Sequence, residues 1–275
     1  MLPNTLKIIV TVKQVPDTHN VTGEAMKADG TVNRNALPAI FNPEDLHALE
    51  EALKLKERIN THITAITMGP PKSIEILKEC LYRGVDEVVL LSDPAFAGAD
   101  TLATSYALKS AIEKLGGVDL IFCGRQAIDG DTAQVPPQIA EKLSFNQLTN
   151  VVEVLSIDRD KRITVKRETS FGYEILRSSL PLLITVNDHA NIPRPPSAKL
   201  MMAYKNLSPS ATVLKNWNLA TIGADPKCCG LNGSPTKVKK IENVVLAKSQ
   251  AKQFNNTEES IKELINELVC DHIIG

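Results

Sequence analysis

"HITAITMGPPKSIEILKECLYRGVDEVVLL", residues 62–91, reads as a strand, a helix and a second strand. The flanking runs "HITAITM" (62–68) and "DEVVLL" (86–91) are short, β-rich and apolar nearly throughout. Runs of that kind suit strands covered by helices on both faces, as in a parallel sheet. The intervening "KSIEILKECLYRG" carries a helical pattern that stops at Gly84, a residue suited to the left-handed position after a helix.

The same grammar extends outward in both directions. "LKIIVTV" (6–12) and "VDLIFC" (118–123) are further strands of this type. "NPEDLHALEEALKLKER" opens with Asn42 in the N-cap position, Pro43 at the first helical position, and Glu44 and Asp45 in the positive first turn. Leu46, Leu49, Leu53 and Leu55, with Ala48 and Ala52, supply its buried stripe. "ADTLATSYALKSAIEKLGG" ends on Gly116 and Gly117, and a fourth helix is expected from about Thr132 to Leu143, with Pro136 and Pro137 in its first turns or delaying its start. The alternation predicts an α/β fold with a doubly wound, mostly parallel sheet and right-handed crossovers. Ligands in that architecture sit beyond the carboxyl ends of the strands. The segments leaving those ends are "VKQVPDT", "MGPPKS", "LSDPAFAGAD" and "GRQAIDGDTAQVPPQIAE" (124–141).

After residue 148 the pattern changes. "LTNVVEVLSI", "RITVKRET", "YEILRSS" and "PLLITVN" read as an antiparallel meander or an extension of the sheet. "HANIPRPPSAKLMMAYKNLSPSA" then brings four prolines, few helix signals and apolar residues at Leu200, Met201, Met202 and Tyr204. Such an excursion either docks on a partner or packs on its own domain. "NNTEESIKELINELVCDHI" is an amphipathic helix capped by Thr257, with Ile261, Leu264, Ile265 and Leu268 on its apolar face. The expected organisation is an α/β domain over residues 1–190, followed by a proline-rich segment and C-terminal arm over 191–275.

The composition, 43% hydrophobic and 23% charged with a net charge of −1 over 275 residues, argues against a nucleic-acid binder. No apolar run approaches the ~20 residues of a membrane helix, and the N-terminus does not read as a signal peptide, so a cytoplasmic location is expected. Cys80, Cys123, Cys228, Cys229 and Cys270 form no C-x-x-C pair, and His19, His47, His62, His189 and His272 show no ligand spacing. Free thiols are favoured over a metal site.

No G-x-S-x-G, H-E-x-x-H or Walker A motif is present. The pairs Asp129/Asp131 and Glu44/Asp45 precede helix starts, where carboxylates commonly cap or complement the dipole. No catalytic side chain is therefore assigned. The stretch "GRQAIDGDTAQ" is the better candidate. Its NH groups around Gly130, Asp131 and Thr132 are expected at a helix N-terminus, where they meet an anion, and Gly130 permits close approach or positive φ. An ordinary strand-to-helix connection would use many of the same residues.

"IIVTVKQVPD", "NPEDLHALEEALKLKE", "ITMGPP", "VDLIFCGRQAIDGDTAQVPPQ" and "VKRETSFGYEILRSSLPLLITV" occur in the order seen in electron-transfer flavoprotein β subunits, which this chain resembles over roughly residues 6–205. The most specific piece is G-[KR]-Q-A-I-D at Gly124 to Asp129. A later family pattern, V-x-R … E-x-L-x4-P, is met by Val165, Arg167, Glu174, Leu176 and Pro181, with a departure at Ser170 and Phe171. The loop "VKQVPDT", the following "GTVNR" and the run from Asp129 to Val135 resemble the electron-bifurcating branch more than the ordinary one.

The resemblance implies an adenine-nucleotide α-hydrolase-like sheet and a heterodimer with an FAD-carrying α subunit. It implies FAD in the β subunit for the bifurcating branch, with AMP at the same place in the ordinary branch. Cofactor contacts carried over by motif are Thr11, Val12, Lys13, Pro16 and Asp17; Asn42, Pro43 and Asp45; Thr67, Met68 and Gly69; Cys123, Gly124, Arg125 and Gln126; and Asp129, Gly130, Asp131, Thr132, Ala133, Gln134 and Val135. The resemblance further implies hydride transfer from NADH, with one electron passing to ferredoxin or flavodoxin. The other passes through the α-subunit FAD to a flavin-dependent dehydrogenase of acyl-CoA or 2-hydroxy-acid type. That dehydrogenase is expected to dock at Pro196, Leu200, Met201, Met202 and Tyr204. Besides the ordinary AMP-binding shuttle, an adenine-nucleotide-binding enzyme or sensor on a similar sheet is the alternative of another class.

Overall fold

The computed structural model describes residues 5–17, 37–208, 211–236, 252–270 and 273. "GTVNR" and most of the segment after residue 17 lie outside the described residues. The expected strand–helix alternation is present: β1 (Leu6–Thr11), the short β2 (Gln14–Pro16) and β3 (Ala39–Phe41), α1 (Pro43–Arg58), β4 (Thr61–Met68), α2 (Ile74–Arg83), β5 (Glu87–Leu91), α3 (Thr101–Leu115), β6 (Leu120–Gly124) and α4 (Val135–Leu143). Gly84, at φ 112°, closes α2 in the left-handed region and donates its NH to the Cys80 and Leu81 carbonyls.

Apart from β2 and β3, which pair with each other, these strands and the later β7 (Asn146–Ile157), β8 (Arg162–Thr169), β9 (Gly172–Ser179), β10 (Leu182–Val186) and β11 (Leu214–Trp217) build one nine-stranded sheet in the order β11-β5-β4-β1-β6-β10-β7-β8-β9. The ladders from β11 to β7 are parallel, and β8 and β9 are antiparallel. Alternate residues of each strand feed opposite cores. Ile8, Val10, Leu120, Phe122, Leu182 and Ile184 pack with Leu49, Leu53, Leu77 and Leu81 of α1 and α2. Ile9, Ile121, Cys123 and Leu183 pack with Ala107, Ala111, Ile112, Ile139 and Ala140 of α3 and α4. The unbroken apolar runs in the sequence are the consequence, since a strand covered on both faces has no solvent side.

Four local expectations are corrected. The helix expected from about Thr132 starts at Val135, because Pro136 and Pro137 fit only the first turn, where their missing NH groups cost nothing. The last apolar run after residue 148 does not join the meander. β7, β8 and β9 do form one, but β10 inserts between β6 and β7, parallel to both. The proline-rich segment, with few helix signals, holds a helix after all, α5 (Ala198–Tyr204), which starts once the prolines end. The ribbon β2–β3 is absent from the sequence reading, each strand being too short to show a period.

The family pattern on β8 and β9 resolves into facing pairs, Val165 opposite Leu176 and Arg167 opposite Glu174. β11 lies beyond residue 190 and extends the sheet beside β5. Past it come the one-turn α6 (Leu219–Ile222) and α7 (Glu258–Cys270), in whose first turn the Ser260 NH donates to the Thr257 hydroxyl oxygen at 3.3 Å. The apolar side of α7 is largely uncovered, with Ile261 and Ile265 exposed. Phe171, Tyr173 and Ile175, at and after the β8–β9 turn, are also exposed.

Candidate functional site

From β1 the chain winds through β4 and β5 in one direction, and through β6 and β10 in the other. The topological switch therefore falls between β1 and β6, and the crevice beyond their carboxyl ends is where a doubly wound sheet takes its ligand. Three side chains of the first turn of α1 hold that crevice open to a fixed width.

Asn42 occupies the N-cap position but does not cap. Its amide donates to the Gln126 carbonyl at 2.9 Å, and its Oδ1 accepts the Ile128 NH at 3.2 Å. Glu44 accepts both Arg125 Nη2 at 3.0 Å and the Gln126 NH at 3.1 Å. Asp45 accepts the Lys13 NH at 2.8 Å and the Gly124 NH at 3.2 Å. The expectation that Glu44 and Asp45 chiefly complement the helix dipole is thus corrected. Their carboxylates tie the end of β1 and the loop after β6 to one helix. Gly124 is required at this junction, because a Cβ there would lie 2.5 Å from Asp45 Oδ1 and 2.7 Å from the Glu44 backbone carbon.

The loop after β6 settles the puzzle of its charges. Asp129 is paired with Lys13 at 2.7 Å, and Asp131 accepts the Gln126 side-chain amide at 3.1 Å. Neither carboxylate caps a helix. Positive φ is found at Asp131 (48°) and Ala133 (52°), not at Gly130, whose Cβ position is open with no atom within 4 Å. The NH groups of Gly130 and Asp131 turn back to the Ala127 carbonyl. Those of Thr132, Ala133 and Gln134 have no hydrogen-bond acceptor among the described residues. Left-handed residues alternating with others, followed by a helix start, make a concave array of donors suited to an anion. Gln134 is held from α3 by the Thr101 hydroxyl at 2.8 Å.

The remaining sequence-derived positions divide by depth. Lys13 and Arg125 are exposed; Thr11, Pro16, Pro43, Met68, Gly69, Gln126 and Val135 are half-buried. Val12, Asp17, Asn42, Asp45, Thr67, Cys123 and Gly124 are buried. Burial pushes the Cys123 thiol up to about 12, so it is a packed thiol and not a nucleophile. Pro16 and Asp17 sit on the β2–β3 ribbon, Asp17 NH donating to the Pro38 carbonyl at 2.8 Å.

One group has no counterpart in the sequence reading. A groove of about 490 Å³ beside Arg125 is lined by Asn150, Glu168, Thr169, Asn187, Asp188 and His189, among others. His189 bridges Glu168 at 2.5 Å and Asp188 at 2.7 Å. The hydrogen bond that the imidazole donates to Glu168 comes first in raising it above its ordinary range. Only the spatial insertion of β10 brings "NDH" next to the end of β8, so spacing along the chain gave no signal.

The docking positions Pro196, Leu200 and Tyr204 are half-buried, whereas Met201 and Met202 are exposed at 44% and 83%. Tyr204 packs against the core shared by α1 and α2. The excursion that carries them is anchored by Arg194, which grips Glu50 through Nε and Nη2, both at 2.9 Å, and Glu57 at 2.7 Å.

Sheet order and switch-point crevice together define a doubly wound α/β protein with a loop of unpaired NH groups, among the described residues, at the switch. Residues 29–211 match the electron transfer flavoprotein domain, and the chain belongs to that family. It is 45% identical over 235 residues to an electron transfer flavoprotein subunit beta of Clostridium acetobutylicum, covering 86% of this chain and 87% of that protein. It is 46% identical over 235 residues to the caffeyl-CoA reductase-Etf complex subunit CarD of Acetobacterium woodii, covering 85% and 86%. It is 41% identical over 270 residues to protein FixA of Sinorhizobium fredii, covering 96% and 92%. The relatives place this chain with the β subunits, which pair with an α subunit. Among the described residues, no helix is long and apolar enough to cross a membrane.

Proposed function

We propose that this chain is the FAD-binding β subunit of an electron-bifurcating flavoprotein acting in the cytoplasm. The observation that carries the reading is the donor loop: three outward NH groups from Thr132 to Gln134, with open space at Gly130, at the switch between β1 and β6. Those donors suit a pyrophosphate; Lys13 offsets the charge of Asp129, and the Gln126 amide holds the Asp131 carboxylate. The likeness to a subunit of a caffeyl-CoA reductase-Etf complex supports the bifurcating reading over the ordinary shuttle.

In this reading the Thr132 hydroxyl and the NH groups of Thr132, Ala133 and Gln134 face the phosphates. Lys13, Pro16 and Asp17 flank the ring end, and Thr67, Met68 and Gly69 close the side formed by β4. When bound, FAD supplies the electron chemistry, taking a hydride from NADH and dividing its electrons between ferredoxin or flavodoxin and the α-subunit FAD. The chain's part is to bind, orient and space the nucleotide. Phe171, Tyr173 and Ile175 and the apolar side of α7 are the faces offered to the α subunit. Arg194 sets the 196–204 segment for a flavin-dependent dehydrogenase.

Counting cofactors tests this directly. The chain is purified with its α subunit, and the released nucleotides are quantified. Two FAD per heterodimer is the expected result. One FAD with one AMP would establish the ordinary shuttle instead, and no nucleotide in the β subunit would sink the reading.

A further inference from the structure

Asp45 lies at the floor of the crevice and is 7% exposed. Its two oxygens accept the NH groups of Lys13, two residues past the end of β1, and of Gly124, the last residue of β6. These are the two strands on either side of the switch, so one carboxylate spans the crevice floor. The fit is close on the β6 side, where only the missing Cβ of Gly124 makes room for Oδ1. We infer that Asp45 is the positioning residue of the nucleotide crevice: its ionised carboxylate sets the separation of the β1 and β6 ends, and nucleotide affinity follows its ionisation.

The physical argument concerns acceptors. A carboxylate offers lone pairs on both oxygens and satisfies two NH donors together. A protonated carboxyl carries hydrogen on one oxygen, which then opposes an NH donor, so one of the two ties weakens. Burial raises the Asp45 carboxyl from the ordinary 3.8 to about 7, against lowering by the Asn42 side chain, the Lys13 and Gly124 NH groups and the Lys13 charge. The competent, ionised form is therefore lost as pH falls through about 7. Other titratable and charged groups lie around Asp45. The Cys80 and Cys123 thiols are pushed up by burial and stay neutral. Glu44 is held by Arg125, and Lys13 is paired with Asp129. His189, across Arg125 from this site, is held by its own pair of carboxylates, Glu168 and Asp188, which raise it above its ordinary range.

The inference rests on the crevice being the nucleotide site, so its test carries two separate readouts. The first uses the heterodimer with the β-subunit site emptied and the α-subunit FAD retained, titrated calorimetrically with FAD, whose pyrophosphate lacks a terminal phosphate. Affinity is expected to be about tenfold weaker at about pH 6 than at about pH 8, as a competent fraction set by a midpoint near 7 requires, and to be flat in Asp45→Asn. The second follows the Lys13 and Gly124 amide resonances in the same nucleotide-free heterodimer. They are expected to titrate together with one midpoint. Equal pH slopes in both proteins, or Lys13 and Gly124 amides that do not titrate between about pH 6 and pH 8, would overturn the inference. If wild type binds no FAD at any pH while the amides titrate, the FAD reading falls and the bracket stands. Should Asp45→Asn not fold, the wild-type amides decide alone.

Discussion

The Lys13 ammonium lies 2.7 Å from the Asp129 carboxylate and joins the end of β1 to the loop after β6. The pair is partly exposed, so its contribution to stability is small, at most about 1 kcal/mol. Its larger effect is on the ligand. Lys13→Ala leaves the Asp129 charge uncompensated beside an anionic group. FAD affinity is expected to drop about tenfold, equivalent to about 1.4 kcal/mol, with little change in thermal midpoint. A fall in both by similar free energies would contradict the assignment.

Gly130→Asp separates ligand from fold in another way. The Cβ position there is open, with no atom within 4 Å, so the chain itself tolerates a side chain. The added carboxylate crowds and repels a phosphate. The variant is expected to purify folded with much of its β-subunit nucleotide missing. Unchanged nucleotide content would argue that the donor loop is not the phosphate site.

Gly124→Ala should behave oppositely, failing in the fold. Its methyl would press on Asp45 Oδ1 and the Glu44 backbone, atoms that cannot retreat without breaking the bracket. A loss of about 1–3 kcal/mol in denaturant unfolding is expected.

Arg194→Ala leaves Glu50, which is 6% exposed, without its guanidinium partner. Stability is expected to fall by about 1–3 kcal/mol, the range for a buried polar group deprived of its hydrogen bonds. Reduction of the dehydrogenase should slow as the 196–204 segment loses its anchor. Normal dehydrogenase kinetics in a destabilised variant would detach that segment from docking.

His189 supplies a pH signature. Its imidazole is raised above the ordinary range, first by the hydrogen bond it donates to Glu168 and also by Asp188. A histidine raised on folding contributes its pairing fully below the unfolded value of about 6.5, and the contribution is lost as pH rises through the folded value. Ring-proton NMR should place the His189 midpoint above 6.5, and Glu168→Gln should lower it.

β1, β4, β5 and β6, with α1, α2 and α3, were legible because continuous apolar runs and glycine stops follow from double-sided burial. The loop Gly124–Val135 stood out for the same reason, as the break between a buried strand and a proline-delayed helix. What escaped was whatever depends on non-local contact. Asn42, Glu44 and Asp45 look like any helix start, since capping and bracketing use the same residue types. Nothing local in "PLLITVN" separates an antiparallel neighbour of β9 from an insertion between β6 and β7. His189 meets Glu168 only after that insertion.

The position of β10 bears on how the chain is made. As the polypeptide leaves the ribosome, β6 emerges with one side unpaired, and it stays so while β7, β8 and β9 are synthesised. Only with Leu182–Val186 does the gap fill. Until then the nascent sheet carries a raw inner edge, the kind that pairs with stray strands. The β7–β9 meander, built from neighbouring antiparallel strands, can form first and hold that gap as a ready slot. Truncations ending before residue 182 should therefore aggregate, whereas those that include Val186 should stay dispersed.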